Sequence, residues 1–204
     1  MIACTMLVAG TALAEDPVVE VEDHKHFRRL NKEYKKYDDR VAQIHDITPV
    51  ELKETPLEVF RVYTRRDQVK DPMDPDFWIV ARRRVFEVSA PGIEKAMKRA
   101  KWAPGNEKEA LGLAKLIVIG IGYTGVLVEE KVENVRRKFK EKLSEEAAAK
   151  VAGPKVTKKE DHYEVIMVGW TRVPFGGSEL LTLYTVKVGK KKFEVEAEAL
   201  VGRD

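Results

Sequence analysis

The chain has 204 residues, of which 35% are charged and 44% are hydrophobic, and its 37 Lys and Arg against 34 Asp and Glu give a net charge of +3. A chain of this length can bury a substantial core, in one domain or two small ones. Ordinary glycine and proline contents and a single cysteine exclude collagen-like, low-complexity and disulfide-framework proteins. The slight excess of positive charge among densely mixed charges predicts no nucleic-acid partner.

The first residues predict export. Residues 1–14 carry no charge, contain an apolar run and end in an A-x-A pattern at Ala12 and Ala14. This pattern is typical of a secretory signal peptide, although no Lys or Arg precedes the apolar run. We expect removal of this segment, together with Cys4, and a mature chain in the periplasm or cell envelope. A start codon assigned too late, or an ordinary buried amino terminus, are the alternatives.

Residues 23–46 predict an amphipathic helix, because apolar residues recur at alternating spacings of three and four. We expect this stripe to pack against the chain's own core, with self-association as the alternative. Pro49 and Pro56 then bracket a predicted linker, which divides the mature chain into a helix with its linker at 15–52 and a domain at 53–204. The stripe consists of Phe27, Leu30, Tyr34, Tyr37, Val41 and Ile44.

The remaining elements predict an α+β fold. Residues 57–65 and 77–88 are rich in β-branched and aromatic residues and predict two strands of a hairpin. Ser89 and Asn106 predict the starts of two helices, and residues 128–152 predict one long amphipathic helix. Three strands with short connections follow within 162–201, as an antiparallel meander. We therefore expect an antiparallel sheet with amphipathic helices packed against it.

In the predicted strand at 77–88, three consecutive arginines would divide between the two faces, because strand side chains alternate. Such a division argues against a single anion-binding patch at Arg82, Arg83 and Arg84.

Gly120, Gly122 and Gly125 match the pattern G-x-G-x-x-G, after a strand-like apolar run and before a predicted helix. This string resembles the dinucleotide-binding fingerprint of nicotinamide and flavin oxidoreductases, whose glycines let the backbone approach a pyrophosphate. That family also places an acidic residue about twenty positions on, at the end of a second parallel strand. Here that window falls inside a charged predicted helix. We therefore assign no cofactor, and a dinucleotide-binding oxidoreductase remains an alternative.

The same region also has the length of a membrane span. Residues 110–128 contain one charge, Lys115, and match the length needed to cross a hydrocarbon core. We expect a glycine-bearing apolar element buried in the soluble core, and the alternative is a single span that anchors the protein in the inner membrane.

No pattern typical of catalysis or metal binding emerges from the other polar residues. His24 and His26 flank Lys25, but no matching ligand spacing follows, so we interpret them as solvated surface residues. The sequence predicts an exported, non-enzymatic envelope protein with a binding or assembly role. It predicts no metal, cofactor or nucleic-acid partner.

Overall fold

The computed structural model describes residues 24–37, 43–52, 54–65, 76–121, 126–128, 132–172, 179–190 and 192–202. These ranges contain five helices and nine strands. The helices are α1 (Phe27–Tyr37), α2 (Ala90–Ala100), α3 (Glu107–Ile121), α4 (Val132–Lys138) and α5 (Glu145–Lys150). The strands are β1 (Gln43–Val50), β2 (Glu58–Arg65), β3 (Asp76–Ala81), β4 (Arg84–Glu87), β5 (Val126–Leu127), β6 (Lys155–Lys158), β7 (His162–Arg172), β8 (Glu179–Gly189) and β9 (Phe193–Val201).

The strands form two separate antiparallel sheets, which confirms the predicted α+β class. The first sheet has the order β1-β2-β3-β4. The second has the order β5-β7-β8-β9, and β6 pairs with β7 as well. The three strands predicted at the carboxyl end are β7, β8 and β9, paired in sequence order as a meander. The predicted hairpin at 57–88 therefore belongs to a sheet of its own.

Helices cover these sheets in layers. One face of the first sheet packs against α1, and its other face packs against α2. Helix α3 contacts both α2 and the second sheet, so the largest core lies between the two sheets. Residues of α4 and α5 pack on the far face of the second sheet. Both faces of the first sheet are thus covered, which leaves its ends and edges to face solvent.

Two predicted helix starts are confirmed by their caps. Ser89 Oγ accepts a hydrogen bond from the Gly92 N–H at 3.3 Å, at the start of α2. Asn106 Oδ1 accepts from the Glu109 N–H at 2.9 Å, at the start of α3. Each side chain replaces a carbonyl acceptor that the first turn of a helix lacks.

The predicted extent of the first helix is wrong. The residues after 42 form β1 rather than a helix, and Ile44 is buried on a sheet. A β-bulge between Ile44 and Asp46 lets Ile44 and Ile47 share one face at a spacing of three, which imitates a helical pattern. Pro49 is tolerated because β1 is an edge strand. The boundary predicted between residues 52 and 53 falls within the β1–β2 hairpin.

The single strand predicted at 77–88 is also wrong, because the segment folds as the β3–β4 hairpin. Arg82 and Arg83 form its two-residue turn, with φ angles of 45° and 70°. Positive φ at both central residues is type I′ geometry, whose twist matches that of paired strands. The usual signal for this turn is Asn-Gly or Asp-Gly, and the sequence contains neither here.

The long helix predicted at 128–152 is interrupted. Helix α4 ends at Lys138, a turn follows, and α5 begins after Ser144, whose Oγ accepts from the Ala147 N–H at 3.1 Å. The buried Val135 and Phe139 supply the apolar face that the sequence predicts. The N-cap at Ser144 starts a new helix direction, so the two segments cover the sheet separately.

Helix α3 contains most of the apolar stretch at 110–128. Leu113, Leu116 and Ile117 are completely buried in the core between the sheets. The helix ends at Ile121, and the residues of β5 pair with β7. None of the helices in the described ranges has both the length and the apolar character needed to cross a membrane. The described part of this stretch is therefore a buried helix followed by a short strand.

Candidate functional site

Helix α1 is fixed to the first sheet through one side of its surface. Leu30 is completely buried and packs with Ile44, Ile47 and Phe60 of the sheet. The helix also contacts both edge strands, β1 and β4. Because α1 lies across the sheet in this way, the helical face opposite Leu30 points to solvent.

The residues immediately before α1 form a compact cluster on β2. Glu58 Oε2 accepts a hydrogen bond from Lys25 Nζ at 2.7 Å and lies 3.1 Å from His26 Nε2. The rings of His24 and His26 pack edge-on against Phe60, with centroid distances of 5.4 and 5.0 Å. These contacts hold the amino-terminal end of α1 on the sheet.

His26 is buried, with 5% of its surface exposed, so its interpretation as a solvated surface residue is wrong. Its backbone N–H donates to His24 Nδ1 at 3.3 Å. Its ring Nδ1 has no hydrogen-bond partner among the described residues. Within the described residues, the polar contact of the ring is therefore the one between Nε2 and Glu58.

Burial and charge set the ionisation of this cluster. Burial lowers the pKa of His24 below its ordinary value of 6.5, and the neighbouring His26 and Lys25 lower it further. The hydrogen bond from Lys25 holds the pKa of Glu58 below its ordinary value of 4.5. At neutral pH the cluster therefore contains a neutral His24 and an ionised Glu58, which keeps Lys25 paired.

Exposed basic side chains follow the solvent face of α1. They recur at spacings of three and four, opposite Leu30. Lys36 pairs with Glu33 at 2.7 Å, whereas no ion pair or side-chain hydrogen bond joins Arg28, Arg29 or Lys32 to a residue that the structure describes. We call this set the basic stripe, and it consists of Arg28, Arg29, Lys32 and Lys36.

The turn of the β3–β4 hairpin brings three more cations together. Arg82 and Arg83 occupy the turn, Arg84 opens β4, and all three are exposed. We call these three residues the arginine tip. Strand β4 contacts α1, so the hairpin that carries the tip adjoins the helix. Within the described ranges the tip has no carboxylate partner. The predicted division of these arginines between two strand faces is therefore wrong.

Positive charge is concentrated on these two elements. Residues 24–37 contain six Lys and Arg and one Glu, a net charge of +5, and the arginine tip adds +3. Because the whole chain carries only +3, the remaining residues sum to −5. The small net charge thus conceals a strongly basic surface on an otherwise acidic protein, and such a surface attracts anions.

The basic surface was not predicted from the sequence, for two reasons. Acidic residues flank the stripe in sequence, so the charge of the predicted helix at 23–46 sums to only +2. The arginine tip depends on a turn without its usual residues. The run of residues 24–37, counted alone, is the signal that could have found the stripe.

The glycine motif has a packing role at the one position that the structure describes. Gly120 lies inside α3, where a Cβ would be 1.8 Å from Val88 Cγ1. A dinucleotide fingerprint needs its first glycine in the turn after a strand, whereas here a helix precedes it. Gly122 and Gly125 lie outside the described residues. Gly120 therefore permits a close approach between α3 and the end of the first sheet.

Some of the positions predicted for self-association lie in or against the chain's own core, and the side chains of the others lie outside the described residues. Leu30 and Ile44 are buried in the core of the same chain, and Phe27 packs against it. Val41 and the side chains of Tyr34 and Tyr37 lie outside the described residues, as do the predicted signal peptide at 1–14 and Cys4. Self-association and export stay predictions.

The other groups of polar residues are weaker candidates for a functional site. Among the described residues, no three His, Cys, Asp or Glu side chains are placed to hold a metal ion. A shallow depression of about 680 Å³ lies at residues 158–162, where Asp161 Oδ1 is 2.6 Å from His162 Nδ1. One short segment lines this depression, so few groups converge on a ligand there.

The basic stripe and the arginine tip are therefore the strongest candidate site in the described part of the chain. No protein family matches the chain, and no curated protein or solved structure matches it either. The chemistry of this surface is the basis on which a function can be assigned.

Proposed function

We propose that the chain is a non-enzymatic, exported protein of the cell envelope that associates peripherally with anionic phospholipid surfaces through the basic stripe and the arginine tip. The observation that supports this proposal is the concentration of exposed cationic side chains on α1 and the adjacent hairpin, of which only Lys36 has a carboxylate partner among the described residues. These side chains are exposed, and their mutual repulsion opposes folding.

The expected affinity is modest and reversible. Each Lys or Arg near an anionic bilayer contributes about 1 kcal/mol. The three stripe residues without a described partner and the three tip residues would together contribute about 6 kcal/mol if all reached the surface. This corresponds to a dissociation constant between about 1 mM and 1 µM, in the range of peripheral binding.

The binding is expected to be electrostatic rather than insertional. Leu30 is buried and packs in the protein's own core, so it cannot enter the acyl region while the helix is docked. Electrostatic binding weakens steeply with salt, because the Debye length falls from about 10 Å at 0.1 M to about 3 Å at 1 M. Release of bound protein by salt is therefore expected.

A lipid surface fits this arrangement better than nucleic acid. Four or more Lys and Arg residues on an amphipathic helix are typical of anionic-lipid recognition. Single-stranded nucleic acid is usually bound by basic residues together with exposed aromatic rings on which bases stack. Of the aromatic rings described beside the cluster, Phe60 is buried and Phe27 is half-buried.

The test is co-sedimentation of the full chain with vesicles of phosphatidylglycerol and phosphatidylcholine, or of phosphatidylcholine alone. We expect binding only to the anionic vesicles, with release at high salt. R28Q/R29Q/K32Q removes three exposed charges from the stripe and should weaken binding at least tenfold, at about 1 kcal/mol per charge. The matched control K155Q/K158Q/K190Q removes three exposed charges near the second sheet and should bind like the wild type.

Three results would contradict the proposal. The first is equal binding to neutral and anionic vesicles, and the second is an equal loss of binding in the control variant. The third is tighter binding to labelled duplex DNA than to anionic vesicles at the same ionic strength, with the same dependence on the stripe residues. That third result would assign a nucleic-acid partner instead.

A further inference from the structure

The arginine tip combines an unusual backbone with an unusual choice of residues. Arg82 and Arg83 have φ angles of 45° and 70°, a region that side chains with a Cβ rarely adopt. The hairpin needs a type I′ turn here, but Asn and Gly would supply that turn with less strain. The fold thus explains the backbone conformation and leaves the two arginines unexplained.

A third strained residue in the described ranges provides a contrast. Lys101 has a φ of 54°, and its backbone N–H donates to carbonyls at the end of α2. This left-handed residue terminates the helix, which is a common structural use of such a conformation. Arg82 and Arg83 lie in a turn whose preferred residues would keep the same backbone. Strain that the fold does not require is typical of functional sites.

The side chains of the tip have the chemistry of a phosphate site. Each guanidinium presents several N–H donors in a planar fork that matches the oxygens of a phosphate group. The three arginines are adjacent and exposed, without an ion pair to any carboxylate that the structure describes. Glu58 is paired with Val80, two residues before the turn, but its carboxylate already contacts Lys25 and His26.

We propose that Arg82, Arg83 and Arg84 form a site for a phosphomonoester group, carried by a lipid headgroup such as that of phosphatidic acid. This inference rests on the proposed function, because α1 would bring the adjacent tip to the anionic surface. A phosphomonoester offers terminal oxygens and up to two negative charges, which suits several guanidinium forks better than a phosphodiester does. The stripe supplies general attraction, and the tip supplies preference among anionic lipids.

The first variant tests whether the arginines bind a ligand or are required for the turn. R82N/R83G installs the residues that type I′ turns prefer, so its melting temperature should equal or exceed that of the wild type. Its affinity for phosphatidic acid vesicles should fall at least tenfold, the loss expected from one charge-assisted hydrogen bond. Wild-type affinity of R82N/R83G for these vesicles would overturn the inference.

The second variant separates recognition from charge. R82K/R83K keeps both charges but removes the planar forks. We expect its binding to phosphatidylglycerol vesicles to be unchanged and its preference for phosphatidic acid over phosphatidylglycerol to fall about tenfold. An unchanged preference would show that the tip contributes only charge, which contradicts a phosphate site.

Inorganic phosphate tests whether the site binds free phosphate or the phosphate group of a lipid. If phosphate raises the melting temperature of the wild type but not of R82N/R83G, while the lipid preference is the same in both, the site takes soluble phosphate rather than a headgroup. If the wild type binds no anionic vesicle and no phosphate, the proposed function and this inference both fail. If phosphatidylglycerol binding depends on the stripe but both tip variants retain the lipid preference, only this inference fails.

Discussion

Substitution of Gly120 by alanine tests whether the glycine motif serves packing. A Cβ at this position would lie 1.8 Å from Val88 Cγ1, 2.9 Å from Val88 Cβ and 3.3 Å from the Val88 carbonyl oxygen. Favourable contacts between carbon atoms are about 3.5–4.0 Å long, so α3 or Val88 must move by about 2 Å. The stiff, buried side chain of Val88 offers little room for that movement.

The expected cost follows from two opposed effects. Overpacking of a core typically destabilises a protein by about 1–3 kcal/mol. Alanine in place of a glycine inside a helix contributes about 0.5–1 kcal/mol in the other direction. We therefore expect Gly120→Ala to destabilise the protein by about 1–2 kcal/mol, which lowers the melting temperature by roughly 2–8 °C for a chain of this size.

The assay is equilibrium urea unfolding of four chains: the wild type, Gly120→Ala, Val88→Ala and the double variant. Val88→Ala removes the atom that would overlap most, so Gly120→Ala should cost less in that background by at least about 0.5 kcal/mol. It should still cost something, because the two Cβ atoms remain 2.9 Å apart. Gly105→Ala is the control, since a Cβ there meets only Glu109 Oε2, at 3.7 Å.

A more stable Gly120→Ala protein would refute the close packing of α3 on Val88. An unchanged penalty in the Val88→Ala background would refute the identity of the partner. Either result would also reopen the question of why a glycine occupies this position.

Three further outcomes are expected. Leu30→Ala should lower the free energy of unfolding in urea by about 2–5 kcal/mol, because this side chain of α1 is completely buried against the first sheet; a loss below about 1 kcal/mol would contradict the docked helix. Ser144→Ala should cost about 0.5–2 kcal/mol by removing the N-cap of α5, and Ser144→Asp should restore the loss. Stability should fall as pH drops below 6.5, because the lowered pKa of His24 makes the unfolded chain bind the proton more readily. It should fall again below 4.5 as Glu58 protonates, and Glu58→Gln should reduce that second loss when urea midpoints are measured against pH; an unchanged second loss would contradict the role of Glu58.

The elements that sequence predicts well are those whose signals are local. Ser89 and Asn106 are followed by helical patterns, and their caps are formed within three residues. The strands at the carboxyl end are separated by short connections, so successive strands pair as neighbours. Such features need only neighbouring residues, so a local pattern is enough to predict them.

The elements that were predicted wrongly contain irregular backbone. A bulge in β1 shifts the alternation by one residue, so Ile44 and Ile47 imitate one face of a helix. The turn at Arg82 and Arg83 adopts positive φ without glycine or asparagine. Neither irregularity changes the composition of its segment, so periodicity alone could not reveal it.

The candidate site was hidden because its parts come from distant segments. His26 becomes buried only when it meets Glu58 and Phe60, which lie more than thirty residues away along the chain. The β3–β4 hairpin that carries the arginine tip meets α1 only through the order of strands in the first sheet. A sum of charge over sequence windows averages these cations with acidic neighbours, whereas the fold separates them.

Different side chains of α1 serve stability and the proposed binding. Leu30 and the Lys25–Glu58 pair hold α1 on the sheet, whereas Arg28, Arg29 and Lys32 face solvent without a described partner. Removal of charge from the second group should leave stability unchanged or raise it, because like charges on one helix face repel. Removal of Leu30 should lower both stability and binding, since the stripe would lose the support that aligns it. A variant series in which binding and stability always fell together would therefore contradict an exposed binding surface on α1.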